Sequence, residues 1–431
     1  MSSEWNRKRI GDVGRVITGK TPSTSNSANF DGPYPFITIP DLNQGRYVRK
    51  AERSISECGA NTLRSCLLPA NAVLMSCIAT IGKCGITTRP SFTNQQINSV
   101  ICGPDILPSY LYYVFTQLGG ELNAAGGGGS VYTNVSKSRF SDIEIPIPTI
   151  REQTEISDFL GALDDRISLL RETNQTLEAI AQALFKSWFV DFDPVRARAQ
   201  GKLPEGMDAA TAALFPDTFD ETELGLVPRG WAAIPFRETI DVIGGGTPKT
   251  SVPEYWGGSI PWFSVVDAPV ASNVFVIDTE KHITEAGLNG SSTKLLQEGT
   301  TIISARGTVG RLALTGCPMT MNQSCYGLRG KAGDQYFTYF STARLVHQLK
   351  QQAHGSVFDT ITKETFAGVS ICYPSSKVIA EFERLTSPLM LRIRECLFQM
   401  HSLSNLRDTL LPRLISGQLR IAETELEKAM A

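Results

Sequence analysis

The fold is decided by the stretch WNRKRIGDVGRVITGKTPST (residues 5–24), which recurs 226 residues later as WAAIPFRETIDVIGGGTPKT (residues 231–250). Three further segments repeat with nearly the same displacement. LMSCIATIGK (74–83) matches IISARGTVGR (302–311), TNQQ (93–96) matches MNQS (321–324), and GSVYTNVSKSRFSDIEIPIP (129–148) matches GSVFDTITKETFAGVSICYP (355–374). A displacement that changes only from 226 to 228 and back indicates a duplicated domain.

Each copy begins with a stretch in which β-branched residues alternate with other residues between Gly and Pro, such as PFITIPDL (35–42) and IPWFSVVDA (260–268). This pattern is typical of a mostly-β domain. Two longer segments, YLYYVFTQLGGELNA (110–124) and QYFTYFSTARLVHQLKQ (335–351), are candidate helices within those domains. The predicted fold class is α+β, with two mostly-β domains related by an internal repeat.

A helical segment follows each β-rich stretch. In REQTEISDFLGALDDRISLLRETNQTLEAIAQALFKSWF (151–189), residues of one face recur with alternating steps of four and three, which is the heptad pattern of a coiled coil. This seam comprises Ile156, Leu160, Leu163, Ile167, Leu170, Asn174, Leu177, Ala181, Leu184 and Trp188, and the second copy supplies Phe382, Thr386, Leu389, Ile393, Cys396, Met400, Leu403, Arg407, Leu410 and Leu414. The two seams are each other's obvious partners, so two long antiparallel coiled-coil helices are predicted.

Three details of the helices carry separate predictions. The polar Asn174 inside the seam is expected to fix the register at some cost in stability. Pro388 is expected to end or kink the early part of the second helix, because proline lacks the N–H that a helix interior uses. The aromatic residues Phe185, Trp188 and Phe189 continue the heptad face, which favours core packing or subunit contact over base stacking.

The repeat and the helices divide the chain into five predicted parts. These are a first domain at 1–148, a first helix at 149–190, a linker at 191–228, a second domain at 229–374, and a second helix with a C-terminal segment at 375–431.

The segment GRVITGKT (14–21) fits the pattern of a phosphate-binding loop, but its surroundings do not. Such a loop needs a buried apolar strand before it and a helix starting at the Lys and Thr, whereas here charged residues precede it and a Pro-, Ser- and Asn-rich segment follows. The repeat places Ile240 and Gly246 at the positions of Gly14 and Lys20. A Gly-x-Thr-Pro turn, with glycine at positive φ, accounts for both copies, so the nucleotide hydrolase hypothesis is rejected.

Composition describes an ordinary folded chain of 431 residues with 42% hydrophobic and 19% charged residues and a net charge of −2. Charge is unevenly distributed: residues 1–148 carry 14 Lys and Arg against 10 Asp and Glu, residues 229–374 carry 12 against 11, and residues 149–228 carry 7 against 15. The acidic segment would be repelled by a phosphate backbone and is better suited to protein contacts. The sequence has no signal-like or membrane-length apolar run, so we expect a cytoplasmic protein.

The nine cysteines and four histidines show no metal-ligand spacing, since there is no C-x-x-C pair and no His at ligand spacing from another ligand. We therefore expect reduced, mostly buried thiols and no metal site.

Several stretches resemble the DNA-specificity (S) subunit of type I restriction-modification systems. The similarity covers essentially the whole chain and is carried by ALFKSWFVDFDPVRA (183–197), LFPDTFDETELGLVPRGW (214–231), LLPRLISGQLRI (410–421) and GGGTPKT (244–250). This resemblance implies two target-recognition domains, each reading one half of a split double-stranded DNA site, held apart by the two helices.

The resemblance also implies partners. Two methyltransferase (M) subunits would dock on the helices, and up to two restriction (R) subunits, which are ATP-driven motors, would join them to form an adenine-N6 DNA methyltransferase and ATP-dependent endonuclease. S-adenosylmethionine, ATP and Mg²⁺ would then belong to the partners. The chain has no N-P-P-[FY] or D-P-P-[FY] tetrapeptide, so it is expected to be a non-catalytic specificity subunit without a cofactor of its own.

Base readout requires side chains with paired donors and acceptors, chiefly Arg or Lys for guanine and Asn or Gln for adenine. The DNA-binding candidates in the first domain are Lys20, Thr21, Ser23, Lys83, Gln95, Gln96, Tyr132, Asn134 and Lys137, and those in the second are Lys249, Thr250, Arg306, Arg311, Gln323 and Lys363. Asn94 and Asn322 occur in both copies and are expected to support their loops.

One alternative from a different class remains, a coiled-coil adaptor whose domains bind proteins. Salt-dependent DNA binding separates the two hypotheses, because counterion release requires phosphate contacts.

Overall fold

The computed structural model describes residues 5–126, 134–269, 273–352 and 360–421. The chain divides into two compact units, one made of Met1–Ser168 with His401–Ala431 and the other of Leu169–Met400. Each unit contains one mostly-β domain and one segment from each of two long helices, in agreement with the predicted fold class. None of the helices among the described residues is both long enough and apolar enough to cross a membrane.

The described part of the first domain contains ten strands and four α-helices. In chain order they are β1 (Asn6–Arg9), α1 (Ile10–Val13), β2 (Gly14–Thr18), β3 (Phe30–Ile37), β4 (Tyr47–Val48), β5 (Arg53–Ile55), α2 (Glu57–Thr62), β6 (Val73–Ser76), β7 (Cys84–Thr87), β8 (Phe92–Thr93), β9 (Ile97–Cys102), α3 (Pro108–Gly126), α4 (Lys137–Asp142) and β10 (Glu144–Ile147). The strands form a five-stranded sheet of order β2-β9-β6-β7-β4, a three-stranded sheet β5-β3-β8, and a pair β1-β10.

The central strand β6 explains why the domain has two cores. All four of its residues are buried, and successive side chains of a strand point to opposite faces of a sheet. Val73 and Met75 accordingly pack into the core that contains helix α3, whereas Leu74 packs into a second core with Phe36 and Phe92. The sheet is therefore covered on both faces, which accounts for the continuous apolar run in this segment.

The first long helix, α5 (Ile150–Lys186), continues into a single π-helical turn at Ser187–Asp191. The remaining elements are α6 (Asp193–Ala199), α7 (Ala209–Ala212), β11 (Phe219–Thr222), β12 (Gly225–Pro228), β13 (Ala232–Pro235), α8 (Phe236–Thr239), β14 (Ile240–Gly244), β15 (Trp256–Phe263), β16 (Phe275–Val276), β17 (His282–Ile283), α9 (Glu285–Asn289), β18 (Thr301–Ser304), β19 (Leu312–Thr315), β20 (Thr320–Met321), β21 (Cys325–Gly330), α10 (Gln335–Gln352), α11 (Lys363–Ala367), β22 (Ser370–Tyr373) and the second long helix α12 (Ser376–Ile415).

The predicted duplication is confirmed by the sheet topology. The second domain has a five-stranded sheet β14-β21-β18-β19-β16, a three-stranded sheet β17-β15-β20 and a pair β13-β22. Each matches a sheet of the first domain strand for strand. The predicted helices at 110–124 and 335–351 are also present, as α3 and α10.

Helices α5 and α12 run antiparallel in both units. In the first unit, Ile156 and Leu160 share a core with Leu411 and Leu414, and Arg407 contacts Asp164. In the second unit, Asn174 Nδ2 donates to the Ile393 carbonyl at 3.3 Å, and Phe185 packs on Phe382. Residue numbers on α12 fall as those on α5 rise, which confirms the predicted antiparallel pairing.

Of the two effects predicted for Pro388, an end to the early part of α12 is wrong, because the helix runs without a break from Ser376 to Ile415. Proline removes only the bond that its own N–H would give to the carbonyl four residues earlier. Pro388 is exposed, so that carbonyl can be hydrated, while Thr386, Met390 and Ile393 on the buried face keep the helix packed.

The segment 191–228, predicted as a linker, folds against the helix pair of the second unit. Trp188 packs edge-on against Phe215 with ring centroids 4.9 Å apart, and Thr211 Oγ1 donates to Glu381 Oε1 of α12 at 3.1 Å. Phe185, Trp188 and Phe189 are all buried, so the predicted core packing of these aromatics is confirmed.

Candidate nucleic-acid interface

The GRVITGKT segment does not form a phosphate-binding loop. Its first five residues are strand β2, which pairs antiparallel with β9, and no helix begins at Lys20 or Thr21. The segment therefore lacks the strand, loop and helix arrangement that a phosphate-binding loop requires.

Glycine is required in this turn for a different reason from the one predicted. Neither Gly19 nor Gly245 is among the positive-φ glycines of the described residues, so the expected positive φ is wrong. A Cβ on Gly19 would lie 2.2 Å from the Asn94 carbonyl oxygen, and one on Gly245 would lie 1.9 Å from that of Asn322. The turn thus packs directly on the backbone of the neighbouring loop, and only glycine permits that approach.

Four loops of the first domain meet at one end of the sheet, and we call them the first loop cluster (residues 19–26, 77–83, 94–96 and 134–137). Thr21 Oγ1 donates to Gln95 Oε1 at 2.7 Å, and the Cys77 amide donates to the Gln96 carbonyl at 2.7 Å. The Val135 amide in turn donates to the Cys77 carbonyl at 2.8 Å. Segments distant in sequence are thereby joined into one hydrogen-bonded surface.

The second domain repeats this arrangement in the second loop cluster (residues 245–252, 305–311, 322–324 and 360–363). Thr247 Oγ1 donates to Gln323 Oε1, the Ala305 amide donates to the Ser324 carbonyl at 2.7 Å, and the Ile361 amide donates to the Ala305 carbonyl at 2.9 Å. Each bond is the counterpart of one in the first cluster.

Most predicted DNA-binding residues lie in these clusters with exposed side chains. The exposed candidates are Lys20, Ser23, Lys83, Gln95, Asn134, Lys137, Lys249, Thr250, Arg306, Arg311, Gln323 and Lys363. Thr21 and Gln96 are partly buried, and Tyr132 lies outside the described residues.

Some candidates already use part of their hydrogen-bonding capacity within the protein. Thr21 is bonded to Gln95, Ser23 Oγ lies 2.7 Å from Ser25 Oγ, and Gln96 Oε1 accepts a bond from Asn94 Nδ2 at 2.9 Å. These residues therefore help to fix the conformation of the loops, and only their remaining hydrogen-bonding groups are available to a ligand.

The predicted supporting role of the two shared asparagines is confirmed. Asn94 Oδ1 accepts the Gln96 amide at 3.1 Å, and Asn322 Oδ1 accepts the Ser324 amide at 3.0 Å. Both side chains close the loop that carries a predicted glutamine.

Sequence reasoning missed Ser76 and Ser304, which anchor the backbone of the loops that carry Lys83 and Arg311. The Lys83 amide donates to Ser76 Oγ at 2.9 Å, and the Arg311 amide donates to Ser304 Oγ at 2.8 Å. Their coincidence at the repeat spacing of 228 was the signal that could have found them. It also missed Thr247, the partner of Gln323.

Asp41 and Asp267, which also match in the repeat, are structural. Asp41 Oδ2 accepts the Thr38 amide at 2.8 Å, and Asp267 Oδ2 accepts the Ser264 amide at 2.8 Å. Each carboxylate caps a short helical turn, a role that satisfies backbone N–H groups that would otherwise lack a partner.

Most of the thiols are buried or partly buried, whereas Cys58 is exposed. All nine cysteines are free, and burial raises the pKa of Cys77 to about 11 and that of Cys325 to about 12. Such thiols stay protonated at neutral pH. No group of three or more metal-ligating side chains occurs among the described residues.

The helix seam is packed within the chain. Ile167, Leu170, Asn174, Trp188, Ile393 and Met400 are buried, while Leu163, Leu177, Leu184, Leu389, Leu403 and Leu410 are partly buried. A different set of apolar side chains on the helices of the second unit is exposed, namely Leu169, Ile180, Leu391 and Phe398.

Comparison with known proteins assigns this architecture to a family. The model of the type I restriction modification DNA specificity domain matches residues 2–179 and again residues 228–382. The two matches together cover most of the chain and correspond to the two repeats. The chain belongs to the type I restriction-modification DNA specificity family.

Relatives of full length support this assignment. The chain is 27% identical to the type I restriction enzyme MjaIX specificity subunit of Methanocaldococcus jannaschii, over 97% of this chain and 94% of the relative. It is also 27% identical to the HindI specificity subunit of Haemophilus influenzae, over 97% of this chain and all of the relative. The fold matches the crystal structure of the type I restriction-modification S subunit from M. genitalium with a TM-score of 0.58 and 14% identity, over 96% of both chains.

Membership in this family defines the chain as a sequence-specific DNA-recognition subunit and not as a catalytic one. The two loop clusters are accordingly candidate contact surfaces for DNA.

Proposed function

We propose that each loop cluster binds one half of a bipartite double-stranded DNA site, as part of a type I restriction-modification complex. The observation that carries this proposal is the same hydrogen-bonded four-loop scaffold in both domains, on which some side chains are the same and others differ. A common scaffold is expected in two domains that bind the same kind of ligand. The side chains that differ would let the two domains recognise half-sites of different sequence.

The charges on the clusters support a nucleic-acid ligand. Lys20, Lys83 and Lys137 in the first cluster are exposed and form no ion pair with any residue that the structure describes, and the same holds for Lys249, Arg306, Arg311 and Lys363 in the second. Cations without internal partners are available to phosphates, and each contact formed releases counterions. DNA affinity should therefore fall steeply as salt concentration rises.

Helices α5 and α12 supply the second part of the proposal, which is spacing and assembly. They are single helices of 37 and 40 residues, and each contributes to both units. A helix rises about 1.5 Å per residue, so each is roughly 55 to 60 Å long. Helices of this stiffness and length suit a spacer that fixes the distance between two half-sites.

Partner subunits would bind the helices. Leu169, Ile180, Leu391 and Phe398 are exposed apolar side chains on the helices of the second unit, and we assign them to a methyltransferase subunit. Two methyltransferase subunits and up to two restriction subunits would complete the complex, and S-adenosylmethionine, ATP and Mg²⁺ would be bound by them. Replacing Leu391 and Phe398 with serine should prevent copurification of the methyltransferase subunit without unfolding the chain.

The spacing proposal is tested with the full chain bound to its methyltransferase partner. Binding is measured to DNA duplexes that carry both half-sites separated by spacers of different length. We expect one preferred spacer length, and equal affinity at every length would contradict the proposal.

The DNA surface is tested with a pair of matched variants. Lys83→Ala should weaken binding to all sequences alike and reduce the slope of log affinity against log salt by about one. Arg15→Ala is the control, because Arg15 is an exposed cation on strand β2, three residues before the strand end that leads into the first cluster. Salt-independent binding, or equal effects of the two variants, would favour an adaptor that binds proteins.

A further inference from the structure

The duplicated scaffold permits a comparison that separates two kinds of DNA contact. Because the same backbone bonds hold both loop clusters, equivalent positions place their side chains alike in the two domains. Side chains that keep the same chemistry in both domains are expected to contact the sugar-phosphate backbone, which is the same in every DNA sequence. Side chains that differ between the domains are expected to contact the bases.

Two cationic positions keep their chemistry. Lys83 corresponds to Arg311, and both follow a loop tied to a serine hydroxyl. Lys137 corresponds to Lys363, and both are the first residue of a short helix. These cations are therefore assigned to the sugar-phosphate backbone.

One pair of facing positions changes its chemistry. Ile78 and Asn134 form an isolated antiparallel bridge in the first domain, and Arg306 and Thr360 form the equivalent bridge in the second. The neighbouring bonds from Val135 to Cys77 and from Ile361 to Ala305 fix both bridges in the same register. We call this pair of positions the bridge pair.

Each bridge pair carries one side chain suited to direct base readout. Asn134 is exposed and can form two hydrogen bonds with the N6 and N7 atoms of adenine, whereas its partner Ile78 has no polar side-chain group. Arg306 is exposed and can form two hydrogen bonds with the O6 and N7 atoms of guanine. Arg306 has no ion pair with any part of the chain that the structure describes, so its guanidinium is available to a base.

The loop of Arg306 is held in place before any ligand binds. Ser304 Oγ donates to the Thr308 carbonyl at 2.6 Å, and the Gly310 amide donates to the Ser304 carbonyl at 2.9 Å. Gly307 and Gly310 take positive φ values of 78°, a conformation that glycine adopts without strain. A preformed loop loses little conformational entropy on binding, which favours a specific contact.

We propose that the bridge pair is the base-reading position of each domain, with Asn134 contacting an adenine in one half-site and Arg306 a guanine in the other. This inference rests on the proposed function, since it assigns bases within the same two loop clusters.

The test uses the full chain with its methyltransferase partner and a library of DNA duplexes in which both half-sites are randomised. The bound fraction is sequenced for the unaltered protein and for Arg306→Ala, Arg306→Lys and Asn134→Ala. Arg306→Lys keeps the charge but loses the planar fork of donors, so it separates base readout from phosphate attraction. Arg329→Ala is the matched control, because Arg329 is an exposed arginine on strand β21 of the same domain, paired opposite Asp241.

Arg306→Ala should lose preference for one guanine in one half-site by on the order of 10- to 100-fold and leave the other half-site unchanged. Arg306→Lys should lose part of that preference, because lysine can still donate to guanine but lacks the planar fork of donors. Asn134→Ala should lose preference for one adenine in the other half-site, and Arg329→Ala should change neither. The inference is overturned if Arg306→Ala weakens all sequences equally, or if the unaltered protein prefers no guanine in that half-site. A bipartite preference that survives unchanged in Arg306→Ala overturns only this inference, whereas the absence of any bipartite preference overturns the proposed function as well.

Discussion

A buried carboxyl group in the second unit makes the stability of the protein depend on pH. Glu383 of helix α12 accepts the amides of Tyr336 and Phe337 at 2.9 and 2.8 Å through Oε1, at the beginning of helix α10. Burial raises its pKa from 4.5 to about 7, because the effect of burial, reinforced by the charge of Asp334, exceeds that of the two amide bonds. The group is therefore largely ionised above neutral pH at an energetic cost.

The sign and the size of the effect follow from this pKa. A group whose pKa is higher in the folded state stabilises the fold fully below its unfolded pKa, and this contribution is lost as pH rises through the folded pKa. The window thus extends from about pH 4.5 to about pH 7. Each pKa unit corresponds to about 1.4 kcal/mol, so the loss amounts to at most about 3 kcal/mol.

Glu383→Gln tests this reasoning, because glutamine keeps an acceptor oxygen but does not ionise. The variant should lose less unfolding free energy than the unaltered protein between pH 5 and pH 7.5, by up to about 3 kcal/mol. Urea unfolding followed by tryptophan fluorescence reports on the second unit, which contains Glu383. Four of the five tryptophans belong to that unit, namely Trp188, Trp231, Trp256 and Trp262, and the fifth is Trp5.

The matched control is Glu381→Gln on the same helix. A hydrogen bond from Arg384 holds the pKa of Glu381 below its usual value, so the stability that it contributes is present at neutral pH and lost only as pH falls. Its removal should not alter the change in stability between pH 5 and pH 7.5. Identical pH dependence of Glu383→Gln and the unaltered protein would refute the argument.

Three further predictions concern packing. Asn174→Leu should raise the unfolding free energy by about 1–3 kcal/mol in urea unfolding, because Asn174 is fully buried and its Oδ1 has no hydrogen-bond partner among the described residues. A lower unfolding free energy would show that the helix seam cannot accommodate the leucine side chain. Arg407→Met should lower the unfolding free energy by about 2 kcal/mol, because the Asp164 carboxylate would keep only the hydrogen bond from Tyr113. In a double-mutant cycle, adding Asp164→Asn should recover most of that loss. Gly19→Ala should lower both stability and DNA affinity, because its Cβ would lie 2.2 Å from the Asn94 oxygen. Gly120→Ala should be neutral or stabilising, because a Cβ there would meet no described atom within 4 Å outside its own helix.

The elements of the fold were predictable because their signals are local. Strand β6, helix α3 and the two long helices each show a characteristic spacing of apolar residues along the chain. Pro388 is the instructive exception. Proline's local preference predicts a break, but buried side chains on either side of it hold α12 together.

The candidate site was predictable only in part. The exposed cations of both clusters were found because the repeat brings Lys83 over Arg311 and Lys137 over Lys363. The repeat also aligns Ser76 with Ser304, but the bonds that these serines make and the pairing within each bridge pair were not found, because each joins positions that no pattern along the chain connects.

The sequence by itself determined that this protein is a duplicated chain with two β domains and two antiparallel helices. A repeat and a heptad pattern are both spacings of residues along the chain, so they can be recognised without the structure. Only the tertiary structure decided which loops meet and which side chains face each other. The antiparallel return of β9 against β2 and of β6 against β9 brings Gln95 to Thr21 and Gln96 to Cys77. Such contacts depend on how the strands pair in space, and pairing between distant segments leaves no periodic trace in the sequence.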